Sequence, residues 1–403
     1  MTSSMGQMDT AARVRTPSSD IDLFAVSSLL DPYRDYAALR ALGPAVWLTG
    51  ARAWGVTHYD EARTVLRAAD VFLSGYGTGL NDQFNGVLRA TTQSSDGELH
   101  RQLRRTLQTP LMPTPLSALK EMFEAVARDV VAKIPYNAPF EAVTGLSQQL
   151  PLAIVSNLVG LPEKGREKML HWAGACFESM GPESERTQAA FEGLGELVAY
   201  AQSVDDPSLL KPGSWGASLY EWAEQNGVPR EKCLSMLLDY VVPSLDTTIN
   251  ATSAALYYLS RDPEQWAMLR ADRGLIQRAI DEAVRLESPI RCFSRTAGAD
   301  AVIGETQIRA GERVLVLYGA ANRDERQWEN PERFHLDRRN QAQVGFGHGE
   351  HVCVGMSLAK MEMTALLGAV ADRFARLEYK GHRFGTNQYL RGLSELALVA
   401  CAA

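Results

Sequence analysis

The sequence predicts a mainly α-helical protein with small β-sheets. Five consecutive segments between residues 117 and 226 have helical periodicity and are separated by polar or Pro/Gly breaks. The longest helical pattern of the chain, Cys233–Leu259, follows them. Short runs of strand-like composition flank this helical region on both sides. Together these observations indicate one large helical body with small sheets beside it.

The first elements are expected after a short tail. Residues 1–20 are polar, rich in Ser and Thr, and lack the apolar core of a signal peptide. We therefore expect a disordered tail over residues 1–20 and a single domain over residues 21–403. Asp31-Pro32-Tyr33 is expected to open a helix that runs through Leu42.

Two strands, a helix and a long loop are predicted next. Ala45–Leu48 and Ala53–Val56 are apolar runs on either side of a Thr-Gly turn, and Tyr59–Ala68 has helical periodicity. Residues 74–97 are rich in Gly, Ser, Thr, Asn and Asp and lack periodicity, which predicts a long loop. Such a loop inside a compact domain is often functional. Another helix is expected to begin at His100.

The middle of the chain is predicted to be helical throughout. Cys233–Leu259 would be about 40 Å long at a rise of 1.5 Å per residue. Pro243 lies inside this pattern and costs roughly 3 kcal/mol in a helix interior, so a break there is plausible where a gap has a use. The sequence leaves open whether Pro243 kinks the helix. The five earlier helices are expected at residues 117–133, 144–160, 162–179, 185–203 and 214–226.

The last third of the chain combines helices and short strands. A helix that carries Asp281–Arg285 is ended by Ser288-Pro289. Hairpin signals recur between Ala301 and Leu317. A helix is predicted from just after Gly355 to about Phe374, and short strand pairs finish the chain.

Composition and charge indicate an ordinary globular protein. Of the 403 residues 45% are hydrophobic and 22% are charged. The chain has 41 Lys and Arg against 48 Asp and Glu, a net charge of −7, which argues against a general nucleic-acid binder. No run of about 18 apolar residues occurs, so no membrane span is expected. The five cysteines are scattered and odd in number, which fits a reducing cytoplasm rather than a disulfide framework; they are Cys176, Cys233, Cys292, Cys353 and Cys401.

The segment around Cys353 carries the strongest functional signal. Residues 346–355 read Phe-Gly-His-Gly-Glu-His-Val-Cys-Val-Gly and precede an apolar, Ala-rich helical pattern. Gly347 and Gly349 permit tight bends, and Gly355 removes a side chain beside the cysteine. A cysteine near a helix N-terminus is favoured as a thiolate. No second cysteine stands nearby to complete a zinc site, so a single sulfur ligand for a haem iron fits better.

This segment resembles the cysteine-ligand loop of the cytochrome P-450 family, F-G-x-G-x-H-x-C-x-G, at all six fixed positions. The resemblance covers roughly residues 30 to 400. It implies the cytochrome P-450 fold, with haem b between the long central helix and the cysteine-ligand loop. Cys353 would be the axial thiolate ligand, with Phe346, Gly347 and Gly355 next to the haem. The alternative is a buried free cysteine in a glycine-rich turn.

The resemblance also implies which residues bind the haem propionates, whose negative charge needs cationic or N–H partners. His100 and Arg104 match the family's H-x-x-x-R pair, and Arg295 and His351 match two further contacts. For the first pair, a solvated basic helix face is the alternative.

Two further pairs are assigned by the same resemblance. Glu282 and Arg285 match the family's E-x-x-R, a buried ion pair that steadies the haem-binding core. Asp246 and Thr247 match the acid–alcohol pair of the central helix, which delivers the protons that cleavage of dioxygen requires. Helix capping or a buried polar pair is the alternative for the latter. The family usually has a small Ala-Gly or Gly-Gly step just before this pair, where the present chain has Pro243-Ser244.

The implied activity is monooxygenation, in which dioxygen and two electrons place one oxygen atom in a C–H bond. No nicotinamide or flavin fingerprint is evident, so electrons are expected from a separate ferredoxin and ferredoxin reductase. Several stretches resemble bacterial members that oxidatively demethylate para-methoxybenzoates, namely Gly43–Val46, Glu282–Pro289, Ala320–Asp324 and Leu390–Leu393. The candidate pocket comprises two aromatic residues that match ring-clamping positions of that subgroup, Phe177 and Phe293, together with Gln93, Pro243, Ser244 and Ile290.

The groups that grip a benzoate carboxylate in that subgroup are not matched. Residues 87–90 (VLRA) and Leu238-Asp239 stand where Arg and Ser are expected. Losing cations and gaining an acid disfavours a carboxylate. We therefore expect O-demethylation of a small neutral aromatic, a lignin-derived methoxyphenol, whose hydroxyl Thr91, Thr92 or Gln93 could bind.

Three alternatives remain for the function. Arg89 keeps a para-methoxybenzoate substrate open. A peroxygenase driven by hydrogen peroxide is possible because of Pro243-Ser244. A haem sensor without turnover is a remote third.

Overall fold

The computed structural model describes residues 17–339 and 342–402. Most of the predicted disordered tail, residues 1–16, lies outside the described residues. Its last four residues do not fit that prediction, because Ser18–Ser19 form a strand parallel to Trp47 and Leu48. The domain therefore begins by residue 17, earlier than the predicted boundary at residue 21.

The prediction of a mainly α-helical protein with small β-sheets is confirmed. The helices are α1 Val26–Leu30, α2 Tyr33–Leu42, α3 Tyr59–Arg67, α4 Asp82–Val87, α5 Gly97–Leu107, α6 Pro113–Ser117, α7 Lys120–Ala132, α8 Gln149–Val159, α9 Met169–Glu178, α10 Glu185–Ser203, α11 Trp215–Gln225, α12 Cys233–Arg261, α13 Pro263–Ala271, α14 Ile276–Glu287, α15 Tyr318–Ala321 and α16 Met356–Arg373.

Eleven strands within the described residues form three sheets. One has six strands in the order β1-β2-β3-β9-β6-β4, one has three in the order β10-β11-β5, and one is the hairpin β7-β8. The strands are β1 Ser18–Ser19, β2 Ala45–Leu48, β3 Ala53–Val56, β4 Phe72–Leu73, β5 Pro139–Glu141, β6 Cys292–Ala297, β7 Ala301–Ile303, β8 Thr306–Ile308, β9 Arg313–Leu317, β10 Arg376–Phe384 and β11 Leu393–Cys401.

The interior consists of two hydrophobic clusters. The larger one joins α12 to the helices around it, and the smaller one lies between the six-stranded sheet, α3 and Trp328. Ile290 and Phe293 are partly buried against both clusters. These two side chains therefore lie where the helical body meets the sheet.

The long loop at residues 74–97 is less irregular than predicted. It contains the short helix α4, whose N-terminus is capped by Asn81 through a bond from the Phe84 N–H. Phe84 is buried in the larger cluster. A helix of six residues is too short to show a period in the sequence, and the buried Phe84 together with the two hydrogen bonds between Asn85 and Gly79 holds it in place.

The central helix α12 continues through Pro243 without a break. Proline has no N–H, so the carbonyl of Asp239 one turn earlier cannot accept a bond from residue 243. The carbonyl of Pro243 itself accepts a bond from the Thr247 hydroxyl at 2.6 Å. The helix thus keeps its path while one backbone acceptor, at Asp239, loses its usual partner.

A buried ion pair connects α14 to the segment that leads to the cysteine loop. Arg285 and Glu282 are both fully buried and make two bonds, of 2.8 and 2.9 Å. Arg285 also donates to the carbonyls of Asn322 and Pro331, while Arg338 donates to Glu282. The pair therefore fixes residues 322–338 against α14.

Within residues 17–339 and 342–402, no helix is both long and apolar enough to cross a lipid bilayer.

Removing one member of the buried pair of Glu282 and Arg285 should destabilise the fold. In Arg285→Met the Glu282 carboxylate stays buried with Arg338 as its remaining cation, and we expect a loss of about 3–5 kcal/mol in the free energy of unfolding. Arg383→Met is the matched control, because Arg383 and Glu395 form an exposed pair worth about 1 kcal/mol or less. Urea unfolding followed by circular dichroism measures both, and equal losses would contradict this assignment.

Candidate active site

The loop before α16 presents Cys353 through two left-handed glycines. Gly347 and Gly349 have φ of +75° and +74°, a region that other residues rarely adopt. A Cβ on Gly349 would lie 2.5 Å from the Leu66 carbonyl oxygen, so only glycine lets this loop pack on α3. The Cys353 N–H donates to the Phe346 carbonyl at 2.8 Å, which closes the turn.

The Cys353 thiol is accessible although protein surrounds it, so it faces an interior cleft. Burial raises its pKa above the ordinary value. The N–H of Gly355, the Arg104 guanidinium and the N–H of Met356 act in the opposite direction but offset only part of the effect. The helix N-terminus favours the thiolate as predicted, yet desolvation is the larger influence on the free thiol.

The other described cysteines are in different surroundings. Cys292 lies on β6 at 2% exposure, and burial raises its pKa to about 12. Cys176 and Cys233 are buried inside the larger cluster, and Cys401 is partly exposed at the end of β11. Cys353 is thus the cysteine that combines accessibility with nearby N–H donors and a cation.

Three of the predicted propionate-binding residues lie together. The rings of His100 and His351 are 3.9 Å apart between centroids. Burial lowers the pKa of His351, and the nearby Arg295 lowers it further. Both ring nitrogens of His100 already have a protein partner. Nδ1 lies 2.9 Å from the Thr92 carbonyl oxygen, and Nε2 lies 3.4 Å from the Glu350 carbonyl oxygen. Only the longer of these contacts could give way readily to an anion.

The donors in this region suit a large anionic group. His351 Nε2 is buried and lacks a hydrogen-bond partner among the described residues. Arg295 is 5% exposed. Within the described residues its guanidinium makes one hydrogen bond, from Nη1 to the Ser294 carbonyl. Arg104 is half-buried beside Cys353. An accessible sulfur with cations on one side of it is the donor set that a haem with two propionates needs, so these residues fit haem.

Sequence reasoning missed Asp96, which organises the edge of this region. Its carboxylate accepts bonds from the N–H groups of Ser74 and Gly75 and lies 3.7 Å from His351 Nε2. Burial alone would raise the pKa of Asp96, but His351 and the two N–H groups lower it below the ordinary value. Asp96 is the residue just before α5, a capping position that could have drawn attention to it, but its partners are distant in sequence.

Asp246 and Thr247 are neighbours on α12, and both are partly accessible. Burial raises the pKa of Asp246 from 3.8 to about 7, and Asp246 Oδ2 has no hydrogen-bond partner in the described part of the chain. The Thr247 hydroxyl is bound to the Pro243 carbonyl and therefore has a fixed direction. An unpartnered acid beside an oriented alcohol can hold and release a proton near neutral pH.

The candidate pocket residues are less uniform than the sequence suggested. Pro243 is exposed although it lies in the middle of the central helix, and Ser244, Gln93, Ile290 and Phe293 are partly accessible. Phe293 is 6.2 Å from Tyr318 and 6.3 Å from Tyr389 between ring centroids.

Phe177 stands apart from them, since it is 5% exposed inside the larger hydrophobic cluster. Such burial is typical of a core side chain.

Arg89 and Asp239, which bear on the substrate, lie in opposite environments. Arg89 is exposed at the surface. Asp239 is enclosed on α12, and burial raises its pKa to about 6 although Thr92 acts in the opposite direction. The sequence showed Asp239 as a missing Ser, but the enclosure that makes it chemically important could not be inferred without the fold.

Comparisons with known proteins agree with this geometry. A family model described as Cytochrome P450 matches residues 221–387. Cytochrome p450 CYP199A2 of Rhodopseudomonas palustris is 34% identical over 95% of this chain and 94% of its own length. Linalool 8-monooxygenase of Pseudomonas putida is 30% identical over 91% of this chain and 95% of its own.

Solved structures give the same result for the fold. Cytochrome P450 CREJ in complex with (4-ethylphenyl) dihydrogen phosphate has a TM-score of 0.84 at 25% identity, over 92% of this chain and 98% of its own. Cytochrome P450-153 from Novosphingobium aromaticivorans has a TM-score of 0.82 at 25% identity, over 94% and 98%.

Replacing Cys353, the predicted haem ligand, should abolish thiolate ligation. We expect purified Cys353→Ser to lose the red-shifted Soret band that a thiolate-bound ferrous haem gives with carbon monoxide, because a serine hydroxyl does not supply a thiolate. Cys292→Ser is the matched control and should keep this band. The reverse result would assign the ligand to β6.

The stability of the protein should depend on the protonation of Asp246. Because its pKa is raised from 3.8 to about 7, the folded protein holds a proton that the unfolded chain releases at lower pH. This stabilisation is complete below about pH 4 and is lost as pH rises through about 7, a change of at most about 4 kcal/mol. Relative to Asp246→Asn, the thermal midpoint of the wild type should fall over that interval.

The control for this experiment is Asp372→Asn, since Asp372 is an exposed carboxylate. Its midpoint should follow that of the wild type at every pH. If the Asp246→Asn curve also ran parallel to the wild type throughout, the raised pKa would be wrong.

Proposed function

This chain belongs to the cytochrome P450 family and is a monooxygenase, and we propose that it removes the methyl group from a small, neutral methoxyphenol. The observation that carries the proposal is the charge of the pocket side of α12. Asp239 and Asp246 are both enclosed there, whereas Arg89, the cation that would favour a carboxylate substrate, is exposed at the surface.

Members of this family bind haem through a cysteine thiolate, and we assign that ligand to Cys353. Arg104, Arg295 and His351 would hold the propionates, with His100 contributing if its contact to the Glu350 carbonyl is released. When bound, the haem supplies the redox chemistry that activates dioxygen. Phe346, Gly347 and Gly355 form the loop on which it would lie, and Gly355 offers no side chain in its way.

The roles of Asp246 and Thr247 follow from their hydrogen bonding. The Thr247 hydroxyl donates its proton to the Pro243 carbonyl, so its oxygen lone pairs are available to accept a bond. Asp246 Oδ2 can take a proton from water and release it, because a pKa of about 7 keeps both forms populated at neutral pH. We assign Asp246 to proton supply and Thr247 to orientation of the proton acceptor.

The chemistry of demethylation balances with these parts. One atom of dioxygen enters a C–H bond of the methoxy group and the other leaves as water, with two electrons and two protons consumed. The resulting hemiacetal breaks its C–O bond to release formaldehyde and a phenol. Electrons would come from a ferredoxin and its reductase, which bacterial relatives of this kind generally use.

A carboxylate is a poor substrate for this pocket on electrostatic grounds. Placing a benzoate carboxylate beside an ionised Asp239 would bury two like charges without a cation. A phenol of the same shape carries no charge, so it avoids that cost. Gln93 is partly accessible on the adjoining loop and could contact the phenol ring or its hydroxyl.

A matched pair of substrates tests the proposal. The assay contains ferredoxin, its reductase and a nicotinamide donor, and it measures kcat/KM for formaldehyde release. This value should be at least about tenfold higher for 4-methoxyphenol than for 4-methoxybenzoate, because burying one unpaired charge costs more than about 1.4 kcal/mol. A faster benzoate reaction would reverse the assignment and place a cation in the pocket.

The same assay separates the peroxygenase alternative. The peroxygenase alternative would be favoured if peroxide alone gave formaldehyde at the same rate as the complete electron-transfer system. We expect the complete system to be much faster, because the acid and alcohol for proton delivery are both in place.

A further inference from the structure

We propose that Asp239 anchors the substrate, accepting a hydrogen bond from a donor group at the end of the aromatic ring that lies away from the reacting methoxy group. The inference rests on the proposed function, since it assigns a specificity-determining residue to the same pocket. It predicts that the pocket selects a hydroxyl or an ammonium group over an apolar or an anionic group of similar size.

The two acids of α12 lie on one face of the helix. Asp239 and Asp246 are seven residues apart, which places them two turns apart at a spacing of about 10 Å. Both act electrostatically on the thiol of Cys176, which belongs to α9. The Cys176 side chain therefore lies near both carboxyls, and the spacing of about 10 Å between the two positions is similar to the length of a para-substituted benzene ring.

One oxygen of the Asp239 carboxyl lacks a partner among the described residues. Asp239 Oδ2 is buried and makes no hydrogen bond to any of them, and the same holds for the neighbouring Thr92 hydroxyl. Burial raises the pKa of Asp239, and the hydroxyl and N–H of Thr92 lie near enough to offset part of that rise. A buried carboxylate oxygen normally has a donor, so this pair is incomplete without one.

The backbone at the same position adds a second acceptor. The carbonyl of Asp239 would bond to the N–H of residue 243 in an uninterrupted helix, but Pro243 has none. Residue 239 thus lacks a hydrogen-bond donor at its side-chain Oδ2 and also lacks the N–H that a helix normally supplies to its carbonyl. A ligand with a hydrogen-bond donor would supply the missing bond, whereas a ligand that presents another acceptor would be repelled.

The charges around Asp239 favour the same conclusion. The titratable groups that interact with it are Cys176, which belongs to α9, and the adjacent Tyr240, whose hydroxyl is bound to the Leu107 carbonyl. Neither is a cation. Lys232, near the start of α12, donates instead to the Ala90 carbonyl. A carboxylate that is ionised at neutral pH with no cation beside it attracts a hydroxyl or an ammonium group.

Three ligands of one shape test the anchor. They are 4-methoxyphenol, 4-methoxytoluene, which replaces the hydroxyl by a methyl group, and 4-methoxybenzylamine, which is protonated at neutral pH. Spectral titration of the ferric holoprotein gives a Kd for each ligand. In the wild type the Kd of 4-methoxyphenol should be lower than that of 4-methoxytoluene by about tenfold or more, because the phenol donates a hydrogen bond to a charged acceptor.

Two substitutions at the anchor should separate its charge from its hydrogen bond. In Asp239→Leu the preference for 4-methoxyphenol over 4-methoxytoluene should disappear. The Kd of 4-methoxytoluene should change by less than about twofold, which is small beside the expected tenfold effect on the phenol. In Asp239→Asn the amide oxygen still accepts a bond, so part of the phenol preference should remain while the amine loses its advantage. Asp372→Asn, the exposed control, should match the wild type with all three ligands.

The outcomes distinguish this inference from the proposed function. If the phenol preference survives in Asp239→Leu, or the wild type has none, the anchor is overturned. If the preference follows Asp239 as expected but none of the ligands yields formaldehyde in turnover, the anchor stands and the demethylation proposal fails. Retention of the Soret band in each variant shows that the haem pocket is intact.

Discussion

The buried pair of Glu282 and Arg285 is the interaction on which the geometry of the site depends. Arg285 uses its remaining N–H groups on backbone carbonyls of residues 322–333, and the Asn322 side chain accepts the Val344 N–H just before the cysteine loop. A continuous set of hydrogen bonds thus runs from α14 to the start of that loop. A buried ion pair often adds little net stability compared with an apolar pair, but its directional bonds define one arrangement. Here that arrangement positions Cys353.

The charged groups of the candidate site differ in sign between two parts of the fold. Arg104, Arg295 and the two histidines belong to the region around Cys353, where a group with negative carboxylates would be held. Asp239 and Asp246 lie on α12, where burial raises the pKa of both carboxyls. In the proposed function the anionic cofactor would lie beside the cations and the donor-bearing substrate beside the acids, because a buried charge is costly without a partner of opposite character.

Local sequence signals predicted much of the fold but little of the polar environment. The strands Ala45–Leu48 and Ala53–Val56 have the predicted bounds, and helix α2 ends at Leu42 as predicted, because turn residues and periodicity mark these positions clearly. Helix α4 was missed because six residues cannot show a period. For the site, a motif placed Cys353 beside a helix N-terminus, but burial and not the helix dominates the pKa of its thiol. Burial arises from residues remote in sequence and is visible only after folding.

The proline in α12 shows how a helix can separate two requirements at one position. The Thr247 hydroxyl needs a carbonyl four residues earlier, and every amino acid has one, so its orientation places no demand on the side chain at position 243. That side chain is exposed and is therefore free to vary during evolution without loss of the alcohol's geometry. Because position 243 is a predicted pocket position, single substitutions there would reshape the space above the reacting group. Proline in particular would also alter the hydrogen-bonding capacity one turn away, so that one codon change would affect both the width of the pocket and its polarity.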